Sequence, residues 1–148
     1  MARRHKLPPE IQEAVRIRAG HRCEYCHAPE QWQYVEFTME HLIPIAAGGT
    51  STIESLALAC FACNRRKWDR RTGIDPDAGG EHQLFSPRVD RWNDHFVWSA
   101  DGLEIVGATS VGRATVGMLD LNRERLKRIR AADLEIGRYP PEADGRLQ

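Results

Sequence analysis

The chain has 148 residues, 41% hydrophobic and 28% charged, and its 21 basic and 21 acidic side chains cancel. That length holds one domain with room for an appendage, and the composition is that of a globular protein. No apolar run reaches the length needed to span a bilayer, and zero net charge removes any global attraction to a polyanion.

The chain starts with Met1-Ala2-Arg3-Arg4-His5-Lys6. This stretch is basic but lacks the apolar core of a signal peptide. The expected location is cytoplasmic, where thiols stay reduced. Pro8-Pro9-Glu10, followed by Ile11, Ala14, Val15 and Ile17, predicts a helix with an apolar stripe closed by Gly20.

Cys23 and Cys26 follow at once, and Cys60 and Cys63 form a second C-x-x-C pair. Each such turn aims two thiolates at one point, and two turns complete a tetrahedron for zinc. The segment between the pairs must fold back on itself, as a β-hairpin would. Cys23 to His27 also matches the C-x-x-C-H of haem attachment. That reading leaves Cys60 and Cys63 unexplained and needs export. A thioredoxin-like redox pair lacks its βαβ context.

Between the pairs, Tyr34 to Met39 alternates and is rich in β-branched and aromatic residues, which predicts a strand running into Glu40-His41. Ala47 to Ser51 reads as a loop, and Leu56 to Ala59 as a short strand or turn. A helix is expected from Phe61 through Arg71, with Trp68 as core or edge packing. Its cations Arg65, Arg66, Lys67, Arg70 and Arg71 form a dense basic cluster. Thr72 to Asp77 breaks that helix, and Asp77 to Glu81 is turn-rich.

Further on, His95 to Trp98 and Leu103 to Val106 flank Ala100-Asp101-Gly102 and predict a β-hairpin. Val111, Ala114, Thr115, Met118 and Leu119 fit a helical face. Asn122 is the expected N-cap of a last helix reaching Ile136. Arg123, Arg125, Lys127, Arg128 and Arg130 are expected on its solvated face, and the residues from Pro140 onward are expected to fray.

Glu40-His41-Leu42-Ile43-Pro44, then Gly48-Gly49-Thr50, then Leu56 through Lys67 with Cys60 and Cys63, resembles the HNH endonuclease family. The closer likeness is to bacterial members with two zinc-binding C-x-x-C knuckles. It covers about Arg22 to Gly73, with weaker likeness through Phe85 to Arg123. The resemblance implies an α+β fold with a ββα-metal core stapled by zinc. The core is expected over residues 21–73, inside a single domain of 148 residues with an extension over residues 85–137.

It also implies an endonuclease acting on DNA phosphodiesters. His41 would be the general base, and Glu40 and Asn64 would be ligands of a catalytic Mg²⁺ or Mn²⁺. Structural zinc would sit on Cys23, Cys26, Cys60 and Cys63. Arg65, Arg66, Lys67 and Arg70 are the candidate substrate contacts, because phosphate contacts give affinity without reading sequence. Neighbouring strand positions face opposite ways, so for Glu40 and His41 to share a centre either the chain bends before Pro44 or a ligand contact runs through the rim. The family usually has Asp where Glu40 stands and Asn where Ser55 stands. Serine is shorter and has only a hydroxyl, so either a looser His41 with reduced activity or a compensating contact from Thr50 or Ser51 is expected. The rival reading is a zinc-stapled nucleic-acid-binding module without turnover, or a degraded HNH protein.

Overall fold

The computed structural model describes residues 7–148, so the basic Met1–Lys6 stretch lies outside the described residues. The fold is α+β: short helices alternate with three separate two-stranded antiparallel sheets. Among the described residues, no helix is long and apolar enough to cross a membrane.

Helix α1 spans Pro9–Arg18. Proline at its first position supplies the φ a helix needs and lacks only a donor that would be orphaned there. Gly20, at φ +64°, turns the chain out of the helix. Val15 is buried, whereas Ile17 is exposed, so the apolar stripe is narrower than the pattern implied.

Strand β1 (Thr38–His41) pairs with β2 (Leu56–Ala59), with Thr38 opposite Ala59 and His41 opposite Leu56. The strand therefore starts four residues later than alternation predicts. Its partner is only four residues long, and Tyr34 and Val35 lie exposed before it. The Glu30 carboxylate takes the Phe37 N–H at 2.8 Å, fixing the entry to the strand.

All four residues of β2 are buried. The first cysteine knuckle lies along its free edge. Glu24 N donates to Leu58 O (2.8 Å) and Leu58 N donates to Glu24 Oε2 (2.7 Å). This satisfies backbone groups that a two-stranded sheet would leave bare.

Helix α2 (Phe61–Lys67) follows directly. It stops four residues short of the expected Arg71, at Trp68, whose φ is +53°. The chain is then drawn into an unanticipated hairpin of β3 (Thr72–Ile74) and β4 (Glu81–Gln83). Leu84 N donates to Arg71 O at 2.8 Å and extends that ladder. Cross-strand pairing outcompetes the helix propensity of an Arg-rich run.

The short helix α3 (Trp92–His95) leads into the anticipated hairpin, β5 (Phe96–Trp98) with β6 (Ile105–Gly107). Helix α4 (Ser110–Leu119) is capped by the Thr109 side chain, and α5 covers Glu124–Glu135. Asn122 does not cap α5. Its amide instead receives Ile105 N–H (2.7 Å) and donates to Ile105 O (2.8 Å), acting as a false strand on β6.

Two further expectations fail for one reason. Arg130 is buried, donating to Leu103 O, Leu121 O and Asn122 Oδ1, over the Trp98 ring. The last residues do not fray: Trp98 N donates to Gly145 O and Leu147 N to Trp98 O, both at 2.8 Å. An aromatic core of Phe85, Trp92, Phe96, Trp98 and Tyr139 draws both segments inward. Buried backbone and guanidinium groups there must find partners.

Candidate active site and metal centre

Cys23, Cys26, Cys60 and Cys63 converge, all four sulfurs lying within 4.8 Å of one another. Cys26 Sγ and Cys60 Sγ are 3.8 Å apart. Sulfurs at ~2.3 Å from a tetrahedral zinc stand about 3.8 Å apart, so this edge already has the length zinc demands.

The first knuckle closes with His27 N donating to Cys23 O at 2.9 Å. In the second, Cys60 is the N-cap of α2 and its sulfur accepts Cys63 N–H at 3.4 Å. A thiolate at a helix N-terminus faces the positive end of the helix dipole. The four sulfurs and their burial perturb one another's ionisation. Hydrogen bonds from Cys23, Cys26 and Cys63 hold the Cys60 thiol far below its ordinary value. Burial pushes Cys23 well up, and the neighbouring sulfurs do the same to Cys63. Four thiols this close cannot all ionise without a metal, and zinc fits the donor set.

Side chains from later in the chain clamp the first knuckle. Trp92 Nε1–H donates to Tyr25 O at 2.9 Å, and the Tyr139 hydroxyl donates to Cys26 O. His27 stacks on Trp92 with ring centroids 4.3 Å apart, and its Nδ1 lies 2.6 Å from Asp144 Oδ2. The sequence signal for these partners was weak, because single aromatics and acids far along the chain carry no spacing.

His41 ends β1, still in register with Leu56, and the next residue keeps the ladder through Leu42 N to Ser55 O at 3.0 Å. Its Nε2 lies 3.0 Å from Ser51 Oγ. The compensating contact expected from Thr50 or Ser51 is thus made by Ser51. Ser55 instead joins a hydroxyl cluster with Thr50 (2.8 Å) and Thr52 (3.0 Å). The loop reaches back because it folds tightly: Gly49 N donates to Pro44 O at 3.0 Å. A Cβ on Gly49 would stand 1.8 Å from Ile43 O, so only glycine fits there.

Glu40 faces the other way, as strand alternation requires. The chain makes no bend that would turn it toward His41. The carboxylate is buried against α2, with Lys67 Nζ at 2.7 Å from Oε1. Burial pushes the Glu40 carboxyl up from its ordinary value, against the pull of the Lys67 ammonium. The Tyr25 phenol faces the same carboxylate and is pushed well up, chiefly by burial.

Lys67, expected among the substrate contacts, is therefore an internal counter-ion and not a surface cation. Arg65, Arg66 and Arg70 are exposed, as phosphate contacts must be, with Arg66 3.8 Å from Asp120. Asn64 is half-buried on α2, its backbone N–H on Cys60 O and its carbonyl accepting Trp68 N–H.

Residues 23–70 match the family model of the HNH endonucleases. No curated protein and no solved structure matches the chain. The matched span begins at Cys23 and takes in β1 ending in His41, its partner β2, and all of α2. This Cys23–Arg70 segment belongs to the HNH endonuclease family.

Proposed function

We propose that the protein is an endonuclease that hydrolyses nucleic-acid phosphodiesters, DNA first among them, with His41 as general base. The observation that carries this reading is the placement of His41. Its imidazole stands at the end of a strand in the family-matched segment, with Nε2 held by Ser51. Fixing one ring nitrogen orients the ring and selects its tautomer. An imidazole so placed takes a proton from water, as attack on phosphorus requires. Negative charge then grows on the phosphoryl oxygens, and the exposed Arg65 and Arg66 of α2, with Arg70 just beyond it, would offset it.

Mg²⁺ or Mn²⁺ on Glu40 and Asn64 is the remaining element of the family expectation. Glu40 does not fit such an ion as it stands, because the Lys67 ammonium already occupies its carboxylate face at 2.7 Å. No step is assigned to that ion. The same pairing favours a second reading, a zinc-stapled nucleic-acid-binding module without turnover.

Nicking of supercoiled plasmid, with and without added Mg²⁺ or Mn²⁺, separates the two. Catalysis predicts nicking that falls at least 100-fold in His41→Ala while the melting temperature holds. Salt-dependent DNA binding with no nicking under any divalent metal would establish the module instead.

A further inference from the structure

The exposed face of α2 carries a pattern that neither the zinc site nor the base explains. Phe61 and Arg65, at positions i and i+4, lie on one side of α2, and exposed Trp68 is the residue at which the chain leaves that helix. The opposite side holds the two buried residues, Cys63 and Lys67. Phe61 is 60% exposed and Trp68 71%. The two rings sit on backbone about 10 Å apart, with Arg65 between them. Arg66, Arg70 and Arg71 are exposed around this stripe; the acids near it are exposed Asp69, and Asp120 beside Arg66.

Trp68 adds a second, independent observation. Its φ of +53° with ψ of −122° is a backbone state that a bulky residue avoids. Trp68 is mostly solvent-exposed, so little packing offsets that strain. Strain at a surface aromatic points to a use at that surface.

We infer that Phe61 and Trp68 are stacking platforms for unpaired bases, so that the protein engages single-stranded or locally opened nucleic acid along α2. The inference rests on the nucleic-acid reading above and names its substrate form. The chemistry is that of a stacking surface in a cationic track. Flat π-faces accept any base, and the neighbouring arginines hold the backbone. A base inside an intact duplex offers no face to a ring standing on a helix surface. The occupant the stripe fits is therefore a strand with its bases free.

The test compares labelled oligothymidylate with a duplex of equal length by fluorescence anisotropy, in zinc-loaded protein without added Mg²⁺ or Mn²⁺. Trp68→Gly should weaken single-strand binding roughly 5- to 150-fold, the worth of one stacked base. Duplex binding should change less than about twofold, and Trp68→Tyr should retain most single-strand affinity. Glycine accepts the positive φ, so the Trp68→Gly melting temperature should hold or rise. Phe61→Ala should repeat the selective loss.

Equal loss on both nucleic acids, no loss on either, or a lowered melting temperature in Trp68→Gly would overturn the inference while leaving the nuclease reading intact. Wild-type protein that binds neither nucleic acid would overturn both.

Discussion

Glu40 and Lys67 show how far one side chain can depart from the role its motif suggests. Both are at least 94% buried from solvent, and they face each other across the interface between β1 and α2. Removing one partner leaves the other charge buried alone. Lys67→Ala should therefore cost about 3–5 kcal/mol. Replacing the pair with Glu40→Leu and Lys67→Met should recover most of that loss, since a hydrophobic pair of similar volume avoids desolvating two ions. Urea midpoints of wild type and the two variants check this, and a Lys67→Ala as stable as wild type would show the pair to be idle. His41, one position along, is held by Ser51 from a loop that Gly49 allows to fold back.

At the scale of elements, the β3–β4 hairpin matters because it ends α2 and carries an anchor to α4. Asp75, just after β3, is buried and accepts from Arg113 of α4 at 2.9 Å to Oδ2 and 3.0 Å to Oδ1. The Arg113 guanidinium holds the Asp75 carboxyl well below the ordinary carboxylate range. A carboxyl whose value is lower in the folded than in the unfolded chain stabilises the fold at every pH above its unfolded value, near ~3.9. That stabilisation is lost only as pH falls through the depressed folded value. Asp75→Asn should therefore melt below wild type at pH 7, and the gap should persist undiminished down to about pH 4.5. Below about pH 4 the gap should narrow, and a gap that stays constant there would mean that Asp75 is not held low. The hairpin itself was hidden in the sequence: three-residue strands separated by a turn give too few alternations to register against an Arg-rich helical pattern.

For the whole molecule, the four-cysteine cluster and the aromatic core form one mechanical unit, because Trp92 and Tyr139 bond the backbone of the first knuckle. Zinc at four cysteines contributes about 10–16 kcal/mol of apparent binding energy. That matches or exceeds the roughly 5–15 kcal/mol by which a folded domain is stable. Stripping the metal with a strong chelator should therefore abolish tertiary order well beyond residues 23–70. The near-ultraviolet circular dichroism of Trp92 and Trp98 should collapse as one zinc per chain is released. A tryptophan signal unchanged after metal loss would show that the extension stands without the staple.

The readings that survived depend on local chemistry alone. Four cysteines in two close pairs, a proline-led helix with glycine after it, and alternating runs around Ala100-Asp101-Gly102 each declare themselves within a few residues. So does the Glu-His-to-Asn-Arg-Arg-Lys order that marks the family. What the tertiary structure alone decided is which way each candidate faces and what covers it. Glu40 and Lys67 turned inward because β1 stays straight through His41 against α2. Trp68 turned outward because the chain left the helix at a positive φ. Arg130, Asn122 and the C-terminal residues found partners more than five positions away, beside Trp98, Ile105 and Leu103. Spacing along a chain determines which groups can share an element. Burial, and the need of every buried polar group for a partner, is set by residues that sequence distance does not reveal.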